Sequence, residues 1–361
     1  MESKRGRSTL RFKGGKKLAV KVAINGLGRI GRAALKLILD TPKLELVAVN
    51  DIGSLENMAY LIKYDTVYGR YEKDVEAVDG ALLVDGEPIS YLSERDPARL
   101  PWSDLGVELV FECTGLFTKQ EDASKHIEAG ATWVILSGPT GSVDVPTVVH
   151  GVNRPSGGTS IISCASCTTN NITPVVEVLH RHFGVEKALL TTIHAYTATQ
   201  AIVDSPGGTK DFRRGRAAAA NFVPASTGAA IATTKALPEV QGRFDGVAVR
   251  GPVAVGSISD LVFVLGRETT AEEINAALRE EAATERYREV LGVTEDPLVS
   301  SDIVGDPRAS VVQLDMTRVV GGDLAKVMCW YDNEWGFTNQ MVREALQDLG
   351  LKEAPPAVAT S

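Results

Sequence analysis

Cysteine, histidine, long apolar runs and positive charge are all in short supply in this 361-residue chain. The four cysteines, Cys113, Cys164, Cys167 and Cys329, are too few to staple a chain of this length. Its stability must come from apolar burial, and a reducing, cytoplasmic setting is expected. No apolar stretch approaches the roughly 18 residues that cross a bilayer, so no membrane partner is expected. Lysine and arginine number 38 against 46 aspartates and glutamates, a net charge of −8. That balance supplies no global field for nucleic acid, which is not expected as a partner. No internal repeat and no metal site are read.

What remains is an ordinary globular composition, 44% hydrophobic and 23% charged, long enough for two domains. Residues 1–17 depart from it, with seven lysines and arginines from Lys4 to Lys17 against Glu2. No apolar core follows that could make a secretory signal. A disordered basic arm is expected, with organelle targeting or a partner contact as alternatives.

Leu18–Asn25 is β-branched and nearly continuous in apolar residues, the pattern of a buried parallel strand. Gly26-Leu27-Gly28-Arg29-Ile30-Gly31 follows and opens a helix with Ile30, Ala33, Ala34, Leu37 and Ile38 on one face. A second strand, Leu44–Val49, ends at Asn50-Asp51. Glycines at this spacing after a strand, with an acid about 20 residues on, predict a dinucleotide site. Gly26 permits the turn, Gly28 admits a pyrophosphate and Gly31 lets helix and strand touch. The helix N-terminus offers free N–H groups to the phosphates. Asp51 would accept from the ribose hydroxyls and repel a 2′-phosphate, favouring NAD over NADP. Further strands at Val107–Phe111, Thr132–Ser137 and Ser160–Ser163 complete a doubly wound α/β, Rossmann-like domain over 18–166.

The second half reads differently. Strands at Val185–His194, Gly246–Arg250, Ser257–Leu265, Ser310–Asp315 and Leu324–Trp330 with helices between some of them predict an α+β, mixed-sheet domain over 167–335. A helix over 336–350 is expected to pack back on the first domain, and 351–361 to be a disordered tail.

Cys167 falls where the strand Ser160–Ser163 turns into a helix from about Thr168 to Phe183. A helix N-terminus favours thiolate and could hold an oxyanion. A base must come from five histidines. His126 lies in a charge-rich helix, and His180 and His182 at a helix end beside Arg181, where solvation is expected. His150 ends an apparent strand. His194 ends the apolar strand Ala188–Ile193 and precedes a polar loop, the strongest position for site chemistry. Arg213, Arg214 and Arg216, with Thr197, Thr227 and Arg250 at loop-like positions, suggest an anionic substrate.

From about residue 19 to 350 the chain resembles phosphorylating glyceraldehyde-3-phosphate dehydrogenases. The likeness rests on Asn25–Arg32, Lys63-Tyr64-Asp65, Ala165–Asn170, His194–Gln200, Ser226-Thr227-Gly228-Ala229-Ala230 and Trp330–Gly336. The resemblance implies that Cys167 attacks the aldehyde and His194 is its base. It implies substrate-phosphate contacts from Thr197 and Arg250, and inorganic-phosphate contacts from Ser166, Thr168, Thr227, Gly228 and Arg214. It further implies cofactor contacts from the backbone of Arg29 and Ile30, from Arg95 and Ser137, and from Asn333 at the nicotinamide carboxamide. NAD as cofactor, glyceraldehyde 3-phosphate and inorganic phosphate as partners, and a homotetramer follow from the same likeness. An erythrose-4-phosphate dehydrogenase and a non-catalytic binding relative are the alternatives. Gly53, close behind Asp51, and Ser205 leave some NADP use open. Cys164 stands where asparagine is usual, and the Cys164-Ala165-Ser166-Cys167 spacing would allow a disulfide, although the scaffold explains Cys164 as a small buried side chain.

Overall fold

The computed structural model describes residues 19–155, 158–206 and 211–351. The basic arm and nearly all of the expected tail lie outside them.

The first half follows the sequence as β1 (Val20–Asn25), α1 (Arg29–Leu39), β2 (Leu44–Asn50), α2 (Leu55–Lys63), a two-residue ladder of β3 (Tyr64–Asp65) and β4 (Gly69–Arg70), β5 (Val75–Val78), β6 (Ala81–Val84), β7 (Glu87–Leu92), α3 (Trp102–Leu105), β8 (Leu109–Glu112), α4 (Gln120–Glu128), β9 (Trp133–Leu136) and β10 (Ile161–Ser163). Its sheet runs β10-β9-β8-β1-β2-β7-β6-β5. Every pair from β10 to β7 is parallel, and β7, β6 and β5 form an antiparallel edge. The central strands are apolar throughout because both of their faces are covered: Val22, Ala23 and Ile24 are wholly buried.

The antiparallel edge is absent from the sequence reading. Its strands are short and half exposed, so periodicity is weak. The signal that finds them is the pair Asp79-Gly80 and Asp85-Gly86. All four residues have positive φ, as two-residue hairpin turns require.

The second half comprises α5 (Cys167–Phe183), β11 (Val185–Ala195), β12 (Val223–Ser226), α6 (Ala229–Ala236), β13 (Phe244–Gly251), β14 (Ser257–Leu265), α7 (Ala271–Ala282), β15 (Leu291–Thr294), β16 (Ser310–Gln313), β17 (Arg318–Val320), β18 (Leu324–Tyr331) and α8 (Trp335–Asp348). The strands make one mixed sheet, β12-β13-β11-β14-β18-β16-β15, with β17 paired to β18. Here burial alternates residue by residue, as along β14 and β18, because the helices α5, α6 and α7 cover a single face. Asp315, expected at the end of a strand, lies in a short 3₁₀ turn instead.

Helix α8 returns to the first half. Phe337, Met341, Val342, Ala345 and Leu346 join the core that holds Ile24, Leu35 and Ile38 of β1 and α1. Helix α1 is consequently buried nearly all round, where its sequence shows one apolar face. Among the described residues, no helix is long and apolar enough to cross a membrane.

Candidate active site

The dinucleotide turn is built by close approach. A side chain at Gly31 would lie 1.9 Å from the carbonyl oxygen of Gly26, so only glycine lets α1 start there. Gly26 has a φ of +94° and abuts Thr114 of the loop after β8. A Cβ at Gly28 would meet nothing in the protein. Its missing side chain is unexplained by packing and leaves room for a ligand, as the pyrophosphate of a dinucleotide needs. The carboxylate of Asp51 accepts from the backbone N–H of Leu27 at 2.7 Å and of Gly53 at 2.8 Å, fixing it beside the turn.

Arg29 contributes little but backbone to that turn, because its guanidinium is occupied. It pairs with Asp65, and its Nε lies 2.9 Å from both oxygens of Glu334. Tyr68 donates its hydroxyl to Asp332 at 2.9 Å. Three short motifs far apart in sequence thus meet at one ion-paired junction between the domains.

Cys167, the candidate nucleophile, follows the last strand of the first half and opens α5. Ala165, at a φ of +58°, turns the chain out of β10. It is the only non-glycine residue with positive φ outside the two Asp-Gly turns, among the described residues, and strain of this kind collects at functional positions. Ser166 caps α5, its Oγ accepting from the N–H of Thr169 at 3.1 Å, and Cys167 is the first helical residue.

His194, in β11, is paired in register with Arg250 of the parallel β13. Its Nε2 lies 3.3 Å from Cys167 Sγ. Its Nδ1 lies 2.7 Å from the carbonyl oxygen of Ala195 and 2.5 Å from Nη1 of Arg250, which also donates to that carbonyl at 3.1 Å. Nδ1 faces both an acceptor, the Ala195 carbonyl, and a donor, the Arg250 guanidinium, so both tautomers find a partner there; the one with its proton on Nδ1 donates to Ala195 and presents the Nε2 lone pair to the thiol. Burial, aided by the Arg250 charge, pushes the histidine down to about 3. The Tyr331 hydroxyl joins Thr168 and Thr192 at 2.9 Å each behind this pair, with its ring edge-on to His194. Its part was not read from the sequence, although the Trp330–Gly336 motif contains it.

Cys167 departs from expectation. Burial pushes its thiol above the ordinary value; Arg250 and the α5 N-terminus pull the other way and do not win. Desolvation of a thiolate outweighs the helix end that the sequence brings to mind.

Asn333 is 6% exposed, and its carbonyl accepts from Gly256 N–H at 3.2 Å and Ser257 Oγ at 3.0 Å. Its amide NH₂ is therefore the group left for a ligand. Thr197 and Thr199 share a hydroxyl contact at 3.0 Å, and Arg214 reaches Thr199 at 3.5 Å. Thr227 accepts from the N–H of Ala229, and Gly228 caps α6. Ser137 follows β9 and donates its N–H to the Glu112 carbonyl, while Arg95 is exposed after β7. Arg213 and Arg216 pair with Asp211 and Asp204.

The other histidines correct the sequence reading in part. His126 is wholly buried, not solvated, and contacts Glu112 and Trp102. His150 lies in a turn, not a strand, and meets Glu344 at 2.6 Å. His180 accepts from the N–H of Val185. Cys164 and Cys167 are both free thiols, and burial holds Cys164 well above its ordinary value, which disfavours the thiolate that disulfide exchange needs.

Two family models cover this architecture. The glyceraldehyde 3-phosphate dehydrogenase NAD binding domain matches residues 20–120, and the C-terminal domain of the same family matches 166–333. The chain is 47% identical to a glyceraldehyde-3-phosphate dehydrogenase of Clostridium pasteurianum over 328 residues, 90% of this chain and 96% of the relative. It is 48% identical to that of Zymomonas mobilis over 335 residues, 91% and 98% of the two chains. The Streptomyces coelicolor enzyme is 46% identical over 329 residues, 90% and 97%. The chain belongs to the glyceraldehyde-3-phosphate dehydrogenase family. As a member of the glyceraldehyde-3-phosphate dehydrogenases it is an NAD-dependent oxidoreductase, and the glycine turn with Asp51 lies in its NAD-binding domain.

Proposed function

We propose that the chain oxidises D-glyceraldehyde 3-phosphate and phosphorylates it to 1,3-bisphosphoglycerate, with Cys167 as nucleophile and His194 as base. The observation that carries this reading is the 3.3 Å contact between Cys167 Sγ and His194 Nε2. His194 takes the thiol proton as sulfur bonds to the aldehyde carbon, and the backbone N–H groups at the start of α5 hold the developing oxyanion. His194 returns that proton to the oxyanion, and the resulting hemithioacetal then gives its hydroxyl proton back to His194 as its hydrogen leaves as hydride, so that a thioester on Cys167 remains. NAD supplies the hydride acceptor when bound, its carboxamide held by the Asn333 amide, its ribose by Asp51 and its remaining contacts by Gly26, Gly28, Arg29, Ile30, Gly31, Arg95 and Ser137. Inorganic phosphate, held by Ser166, Thr168, Thr227, Gly228 and Arg214, attacks the thioester carbon, and Cys167 departs as thiolate. Arg250 and Thr197 hold the substrate phosphate. That anion would draw the Arg250 charge from His194 and raise its basicity when substrate is present.

A homotetramer in the cytoplasm completes the reading. In support, Leu189 and Val247 are exposed on the sheet face that no helix covers, and Ile202, Val203, Phe212 and Phe222 are exposed nearby in sequence. Apolar surface of this extent is usual where subunits meet.

NADH absorbance tests the reaction. Wild type should turn over glyceraldehyde 3-phosphate with NAD only when phosphate is present, and Cys167→Ser should lose at least ~1,000-fold. Faster turnover of erythrose 4-phosphate would replace the substrate, and no turnover of either aldehyde would make the chain a binding relative.

A further inference from the structure

Three parallel strands of the NAD-binding domain end in register on polar residues. Asn25 of β1 stands opposite Asn50 of β2 and Glu112 of β8. None of the three is more than 4% exposed. Four donors converge on the Glu112 carboxylate. Asn25 Nδ2 reaches Oε2 at 2.6 Å and His126 Nε2 reaches it at 3.1 Å. The backbone N–H of Thr114 reaches Oε1 at 2.8 Å, and the Thr114 hydroxyl donates to the same oxygen.

The tautomer of His126 follows from its other neighbour. Trp102 Nε1, which can only donate, lies 3.0 Å from His126 Nδ1. Nδ1 is therefore the acceptor, and Nε2 carries the hydrogen that points to Glu112. An indole, an imidazole and a carboxylate form a one-directional buried chain.

That chain ends on segments around the dinucleotide turn. Asn25 immediately precedes Gly26. Through its Oδ1, Asn25 accepts from Asn50 at 2.7 Å, and Asn50 immediately precedes Asp51. Asn50 exchanges a pair of hydrogen bonds with the backbone of Glu94, at 2.9 and 2.8 Å, next to Arg95. Thr114 packs so tightly on Gly26 that a Cβ there would come within 2.8 Å of it.

We propose that Glu112 is a positioning residue for NAD, a buried carboxylate that sets the relative placement of the Gly26 turn, Asp51, the Arg95 loop and the Thr114 loop. It touches no reacting atom and acts through the strand ends it joins. A buried polar group with every donor matched fixes geometry, and the same group half matched leaves donors stranded. Glu112→Gln keeps the size but turns an NH₂ group towards two of the four donors. His126 cannot relieve the mismatch by moving its hydrogen, because the Trp102 N–H blocks the other tautomer.

The proposal rests on NAD as cofactor, so NAD titration of the wild type comes first; failure to bind there would overturn that premise and not the role of Glu112. Affinity for NAD, measured by quenching of tryptophan fluorescence, should fall about 10- to 100-fold in Glu112→Gln. The KM for NAD should rise in step, with kcat at saturating NAD and the KM for glyceraldehyde 3-phosphate within about threefold of wild type. Unchanged NAD affinity, or an equal fall in kcat with all KM values unmoved, overturns the proposal. Should Glu112→Gln not fold, Thr114 decides. Thr114→Val, which loses the hydroxyl donor, should weaken NAD binding several-fold, and Thr114→Ser, which keeps it, should stay within about twofold. Equal affinities of those two variants overturn the proposal.

Discussion

Desolvation pushes half-buried Cys167 and buried His194 each towards the neutral form, and Arg250 adds a positive charge beside the ring. Two outcomes follow at this scale. Alkylation of Cys167 by iodoacetamide should keep accelerating above pH 8; a plateau below pH 7 would instead reveal a resting thiolate–imidazolium pair. Stability should also carry the signature of His194. Its pKa falls from an ordinary 6.5 to about 3 on folding, so the unfolded chain binds the extra proton between those values. The contribution is fully present above pH 6.5 and is lost as pH falls towards 3, at up to about 1.4 kcal/mol per pH unit. Chemical denaturation of wild type and His194→Asn from pH 7 to 4 should show the variant losing stability less steeply, and parallel curves would refute the shift. The sequence pointed to both residues, Cys167 by its strand-to-helix turn and His194 by its strand end. It could not weigh burial against helix dipole, since burial depends on the strands and helices packed around the thiol.

At the scale of the first βαβ unit, the three glycines separate packing from binding. Gly31→Ala puts a methyl group against the Gly26 carbonyl and should cost several kcal/mol of stability, read as a large fall in Tm. Gly28→Ala meets no protein atom and should leave Tm within about 2 °C while weakening NAD binding at least about 10-fold. A Gly28→Ala protein that binds NAD normally would remove the pyrophosphate from that turn. The unit was legible because its signals are local: continuous β-branched residues, glycine spacing and an acid at the second strand end. The β5–β7 edge is fainter, because its strands are short and half exposed and only its Asp-Gly turns mark it. The Glu112 hub was not legible, because Trp102, His126 and Asn25 are brought to it by three separate elements.

For the whole molecule, the domain seam decides most. Arg29 bridges Asp65 and Glu334 there, and α8 lies in the core of the NAD-binding half. Met341 is wholly buried in that core, and Met341→Ala should destabilise the protein by about 2–5 kcal/mol. NAD binding should weaken with it, because α8 supports α1 and so the glycine turn. Calorimetry with and without NAD checks both, and a variant as stable as wild type would place α8 outside the cooperative core. An amphipathic final helix was readable from Phe337, Met341, Val342 and Leu346. The burial of α1 on every side was not, since the covering helix comes from the opposite end of the chain.

That distance has a consequence for biosynthesis. Helix α1 ends at Leu39 and its cover begins at Trp335, about 300 residues later. At translation rates of about 5–20 residues per second, the nascent chain carries an uncovered apolar helix for roughly 15–60 s. The domain made first is thus the one completed last, and in the interval it is a natural client for chaperones that shield unfinished surfaces on the ribosome.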